Sequence, residues 1–242
     1  MALLINGRQI ANTIKNELKN IITNKKITPG LGIILVGDRP DSQVYVRMKK
    51  KACEKIGIRN FDIHLNDDIS QTEIITEINK MNNNKDIHGI LVQLPLPKHI
   101  NEREVLNCVS LKKDVDGFHS TNIGKLALKE LDDIQVPCTP DGCLELLKRY
   151  NIQIEGKHAV IIGRSNIVGM PLSLLLLHNN ATVTICHSRT QNLKEITNKA
   201  DILICAFGSP QKITSEYVKE DCVIIDVGIH RLKSSDKSKN RL

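Results

Sequence analysis

Short runs of branched aliphatic residues alternate along the chain with stretches whose apolar positions recur every three or four residues. LGIILVGD (31–38) is the first such run, and a helical segment follows from about Ser42. FDIHL (61–65) reads as a strand, QTEIITEINKM (71–81) as an amphipathic helix, and GILVQLPLP (89–97) as a strand stopped by its prolines. The second half repeats the alternation. HAVIIG (158–163), ATVTICH (181–187), DILICAFG (201–208) and CVIIDVG (222–228) read as strands, with helices over MPLSLLLLHN (170–179) and NLKEITNKA (192–200). Strands that are apolar along their whole length, each followed by a helix, predict an α/β protein with parallel sheets covered on both faces.

Between the halves, LKKDVDGFHSTNIGKLALKELDDIQVPCTPDG (111–142) loses its period and is rich in Gly, Pro and Asp. The domain junction is expected there, with GCLELLKRYNI (142–152) as a linking helix. The expected division is a first α/β domain at 1–139, a Rossmann-like domain at 140–230 and a polar, frayed tail at 231–242.

Composition narrows the class. Aromatic residues make up 2% of the 242 and Trp is absent, so the core must be built from Ile, Leu and Val. A net charge of +7 favours anionic partners such as nucleotides or polycarboxylates. The cations are spread along the chain and no nucleic-acid-binding pattern accompanies them, so nucleic acid is not an expected partner. Seven cysteines without a C-x-x-C pair fit a reducing cytoplasm better than a disulfide framework or a zinc site, and no metal is expected. The N-terminal apolar stretch is too short for a leader, and no segment has the length of a membrane span.

The turn GRSNIVGMP (163–171) stands between a strand and a helix, as a dinucleotide-binding turn does. It is not G-x-G-x-x-G, because Ser165 stands where the second glycine would be. Gly163 allows a sharp exit from the strand and Gly169 a close approach, and the helix N-terminus is expected to offer N–H groups to phosphate. A plain strand-to-helix turn is the alternative. The next strand ends CHSRT, with Ser188 and Arg189 where an NAD site would carry an acidic residue for the ribose 2′-hydroxyl. With Arg164 in the turn, this favours the 2′-phosphate of NADP.

YVRMKKKACEKIG, VQLPLP, DVDGFH, PCTPDG, GRSNIVGMPLSLLL, ATVTICHSRT and IIDVGI occur here in one order. That order resembles the bifunctional methylenetetrahydrofolate dehydrogenase/cyclohydrolase family over nearly all of residues 1–230. The resemblance implies NADP-dependent oxidation of 5,10-methylenetetrahydrofolate, hydration of the methenyl product to 10-formyltetrahydrofolate, and a homodimer formed through the cofactor domain. It places the catalytic lysine on Lys49, with Tyr45 and Gln93 beside it, and the pterin-gripping carboxylate on Asp116. The cofactor residues fall on Gly163, Arg164, Ser165, Gly169, Ser188, Arg189, Gly208 and Ile229, with Thr139 near the reactive end.

Helical geometry also bears on Lys49. Arg47, Lys49, Lys50 and Lys51 crowd one segment. At about 100° per residue, Val44, Met48, Ala52 and Ile56 would form an apolar stripe, with Tyr45 and Lys49 at its edge one turn apart. Lys50 and Lys51 would face water. Burial or neighbouring cations would favour a neutral Lys49 amine that can act as a base. For Asp116, an Asx turn is the alternative to ligand binding, and Gln93 could instead bond a neighbouring loop. His119 and His187 have no metal spacing. The family's glycine-rich PGGVGPMT loop and closing helix have no counterpart after Gly228, which leaves a truncated, inactive nucleotide binder as the alternative function.

Overall fold

The computed structural model describes residues 2–229; the expected tail at 231–242 lies outside them. Among the described residues the chain forms two units, one of residues 2–125 and 130–136 and the other of 126–129 and 137–229.

The first unit is built on three parallel strands, β1 (Gly30–Val36), β2 (Arg59–Leu65) and β3 (Gly89–Val92), in the order β2-β1-β3. Ile33 and Ile34, neighbours on opposite faces of β1, are both fully buried, as a strand covered on two sides requires. Burial of each such side chain stabilises the fold by roughly 1.5–3 kcal/mol. Helices α1 (Gly7–Lys25), α2 (Pro40–Ile56), α3 (Gln71–Asn83), α4 (Glu102–Asn107) and α5 (Ser120–Ala127) accompany the strands. α3 starts with a reciprocal capping box between Ser70 and Glu73, worth about 1 kcal/mol. α2 ends at Gly57, whose φ of 90° closes the helix in the left-handed conformation.

Two sequence expectations need correction here. The strand expected over 89–97 ends at Val92, where pairing with β1 stops and the Pro-containing segment, with its cis Leu94–Pro95 bond, leaves the sheet. The aperiodic middle contains α5 and the start of the next helix, α6 (Cys138–Arg149), which opens four residues before the expected linker helix. α1 was not expected from the sequence at all.

The second unit contains α6, β4 (His158–Ile162), α7 (Gly169–His178), β5 (Thr182–Cys186), α8 (Leu193–Thr197), β6 (Ile202–Cys205) and β7 (Val223–Asp226). Its four strands are all parallel, in the order β5-β4-β6-β7. β4 and β6, the inner strands, are buried almost throughout. At the N-terminal edge of this sheet Asp201 ties the strands together. Its carboxylate accepts from His158 N (2.8 Å) and from Lys219 Nζ (2.5 Å), and its main chain joins β4 and β7.

In both sheets the order reverses beside the first strand, between β1 and β3 and again between β4 and β6. Crossovers leave in opposite directions at such a point, so a crevice opens past the C-terminal ends of the two strands.

Candidate active site

Gln93 follows β3 directly, at the switch point of the first sheet, and its N–H donates to Ile34 O of β1 (2.9 Å). The Gln93 side chain has a fixed orientation: Nε2 donates to Leu94 O (2.7 Å), which turns Oε1 towards Lys49 Nζ at 3.2 Å. Lys49 arrives from α2. The buried face of that helix is Ser42, Val46, Cys53 and Ile56, and Lys49 falls inside the series, three residues after Val46 and four before Cys53. Lys49 therefore lies within the inward face. The expected stripe through Met48 is wrong, since Met48 is 61% exposed and the small polar Ser42 takes an inward place. Tyr45, half-buried, sits one turn before Lys49.

Lys50 and Lys51 lie further round the helix. With Gln43, Arg47, Glu54 and His64 they line an open groove floored by Leu35 and Val46. Lys50 is not simply solvated, as expected, because it pairs with Asp62 at 2.8 Å.

The third element is the Asp114–Gly117 turn. Asp116 is half-buried, and its carboxyl is pushed up to about 6, first by desolvation and further by the charge of Asp114; the positive charge of Lys49 opposes the shift. Lys49, Gln93 and Asp116 thus share one site, in which the carboxyl and the amine are close enough to interact. Val115 seats the turn on β3: a Cβ at Gly89 would stand 2.3 Å from Val115 Cγ1. The turn chemistry is carried by Asp114, whose carboxylate accepts from Phe118 N (3.3 Å) and His119 N (2.9 Å). His119 Nδ1 in turn accepts from Thr121 N (3.1 Å) in the first turn of α5.

In the second unit the strand-to-helix turn is a close backbone stack. Gly163 has φ of 130°, and a Cβ there would lie 2.2 Å from Ala206 O; a Cβ at Gly169 would lie 2.2 Å from Gly163 O. Only glycine at both positions lets the end of β4, the start of α7 and the end of β6 approach this closely. The helix N-terminus does not offer its first amides as expected. Ser165 Oγ accepts from Val168 N (3.2 Å) and Gly169 N (3.5 Å), and Ser165 O accepts from Met170 N (3.0 Å). An anion here meets side chains: Arg164 and Ser165 are both exposed.

The turn after β5 presents Ser188 and Arg189, also exposed. It is held by two contacts not visible in the sequence: His187 N donates to Thr190 Oγ1 (2.8 Å), and His187 Nδ1 accepts from Arg189 N (3.2 Å). Gly163 N donates to Cys186 O (2.8 Å), so both turns leave the same edge of the sheet. Gly208 follows β6, with open space at its Cβ position, and Ile229, 60% exposed, follows β7. The glycine stack, the cationic rim and the lack of a carboxylate after β5 fit a dinucleotide with a 2′-phosphate. Thr139, exposed in the first turn of α6, is not brought to these residues by any described contact. No helix among the described residues is long and apolar enough to cross a membrane.

Comparison with known proteins gives the same two-part division. Residues 5–116 match the tetrahydrofolate dehydrogenase/cyclohydrolase catalytic domain, and residues 137–241 the NAD(P)-binding domain of the same enzymes. Bifunctional protein FolD 4, chloroplastic, of Arabidopsis thaliana is 52% identical over 95% of this chain, which spans 65% of that relative's length. The crystal structure of the bifunctional FolD methylenetetrahydrofolate dehydrogenase/cyclohydrolase of Campylobacter jejuni superposes with a TM-score of 0.93 at 47% identity, covering 97% of this chain and 84% of that one. The Trypanosoma brucei methylenetetrahydrofolate dehydrogenase-cyclohydrolase, solved with NADP cofactor and inhibitor, gives 0.92 at 37% identity, over 98% of this chain and 82% of its own. Both halves of the fold are thus matched, and the chain belongs to the tetrahydrofolate dehydrogenase/cyclohydrolase family.

Proposed function

We propose that this chain oxidises 5,10-methylenetetrahydrofolate with NADP, and hydrates the methenyl product to 10-formyltetrahydrofolate, through Lys49, Gln93 and Asp116 in its first unit. The observation that carries the reading is the Lys49–Gln93 contact at the switch point of the first sheet, with Asp116 alongside.

Asp116 in its anionic form accepts N–H donors of the pterin and fixes the ring. Tyr45, half-buried one helical turn from Lys49, offers an aromatic face to the rest of the folate. NADP, held by the turns of the second unit, would supply the acceptor for the hydride lost from the methylene carbon, which converts the folate to the methenyl cation. No proton is released in that step, so the protein's contribution is position. Hydration differs. A water oxygen bonds to the methenyl carbon and gives up one proton; the other water proton passes to the ring nitrogen as the carbon–nitrogen bond opens, which leaves the formyl group on the second nitrogen. Lys49, held by Gln93, is the group placed to take the first of these protons. Gln93 contributes by orientation, since its own amide is fixed by Leu94 O.

In the second unit, Gly163 and Gly169 give the backbone room for the dinucleotide, Arg164, Ser188 and Arg189 receive its 2′-phosphate, and Ser165 stands in the turn between them. Gly208 and Ile229 border the site, and Thr139 attends the reactive end. The chain acts as a homodimer in the cytoplasm, which sedimentation of the purified protein would check.

The test is Lys49→Gln, assayed for both reactions. Hydration is expected to fall at least ~10²-fold, as for loss of a general base, and oxidation by less. Equal small losses in both would remove Lys49 from proton transfer.

A further inference from the structure

We infer that Asp114 is the positioning residue of this site: its buried carboxylate holds the loop that carries Asp116 against β3. The inference rests on the reading that Asp116 binds the pterin. Asp114 is 4% exposed. Besides Phe118 N and His119 N, its carboxylate accepts from Asn122 Nδ2 at 2.7 Å. Asn122 is 1% exposed, and its own Oδ1 accepts from Gln135 N at 3.3 Å. The main chain of Asp114 forms a parallel bridge with Ile90 of β3, and its carbonyl accepts from Gly117 N (3.3 Å). The Asp116 loop is thus clamped on both sides, by β3 before it and by the Asp114 carboxylate after it.

Three N–H donors on one carboxylate satisfy a buried anion, so its negative charge stays close to Asp116. That charge adds to desolvation in holding the Asp116 carboxyl up, while Lys49 on α2 works against both. Asp114 therefore has two separable effects on the pterin site, one from its hydrogen bonds and one from its charge.

Two variants separate them. Asp114→Asn removes the charge and puts an amide N–H₂ where a second acceptor oxygen stood. KM for 5,10-methylenetetrahydrofolate is expected to rise about 10-fold, from loss of a charge-assisted hydrogen bond, with kcat changed much less. The Asp116 carboxyl, followed by carbon NMR of labelled aspartate, is expected to titrate at lower pH, and the acid limb of kcat/KM to move with it. Asn122→Ala keeps the charge and loosens the anchor, so KM should rise while the titration stays in place.

A folded Asp114→Asn protein with wild-type KM and an unmoved titration overturns the inference. Should Asp114→Asn not fold, a wild-type KM in Asn122→Ala overturns it instead. Whatever the variants do, the Phe118 and His119 amides of the wild-type protein must exchange slowly; exchange at solvent rates refutes the clamp. Asp116→Asn is the control. If it leaves KM and the acid limb unchanged, the pterin reading fails; if it alters them and Asp114→Asn does not, only the present inference fails.

Discussion

Asp116→Asn is expected to stabilise the first unit while impairing the site, and to do so only above a particular pH. In the unfolded chain the carboxyl titrates at its ordinary value of 3.8; in the folded protein it is pushed up to about 6. Between those values the folded protein keeps a proton that the unfolded chain has released, so stability falls as pH rises through the window and levels off above it. A difference of about two units at 1.36 kcal/mol each makes the full penalty about 3 kcal/mol. Asparagine keeps the shape and carries no charge, so its advantage should be near zero at pH 3.5 and approach about 3 kcal/mol by pH 7.5. Urea denaturation followed by hydrogen exchange at β1 and β3 amides would confine the measurement to this unit. With a slope of about 2–3 kcal/mol per molar, the midpoint should move up by roughly 1 M at the higher pH. KM for the folate should rise in parallel, because the anion that fixes the ring is gone. A stability difference that is the same at both pH values would refute the reasoning, since packing differences carry no proton.

Arg189→Glu and Arg164→Glu should each weaken NADP relative to NAD by roughly 1.5–3 kcal/mol, about 10- to 150-fold, measured by calorimetry with both cofactors; equal losses for the two would contradict a 2′-phosphate contact. Gly163→Ala should destabilise the second unit by a few kcal/mol, read from its melting transition, because the new methyl would overlap Ala206 O and φ of 130° is strained for alanine. Lys51→Gln should leave both activities nearly unchanged, and Lys50→Gln should cost at most about 1 kcal/mol of stability through its exposed pair with Asp62, a loss that added salt erases.

The strands were legible because Val and Ile runs such as those of β1 and β4 have few alternatives. The helix around Lys49 was legible in type and spacing but not in rotation. Hydropathy ranks Met48 above Ser42 and Lys49, yet the structure buries Ser42 and turns Met48 out. Asp116 stood out through its motif, whereas Asp114 acts through Phe118, His119 and Asn122, and those contacts exist only after folding. Ser165 was visible as a departure from a glycine, but its use of the Val168 and Gly169 amides was not. The same holds for His187, whose ring holds the Arg189 turn by a contact that sequence spacing does not encode.

The stitching at the N-terminal edge of the second sheet has a practical consequence for anyone redesigning this enzyme. Asp201 joins β4, β7 and Lys219 at the end of the strands opposite the glycine turn. Strength and chemistry are therefore drawn from opposite rims of one sheet. Changes around Lys157, Asp201 and Lys219 can tune heat resistance without reaching the dinucleotide. Changes at Ser188 or Arg189 can alter cofactor choice with Asp201 still fastening the far rim. A library that varies Ser188 and Arg189 while holding Gly163, Gly169 and Asp201 would keep both the backbone stack and the far-rim fastening in every member.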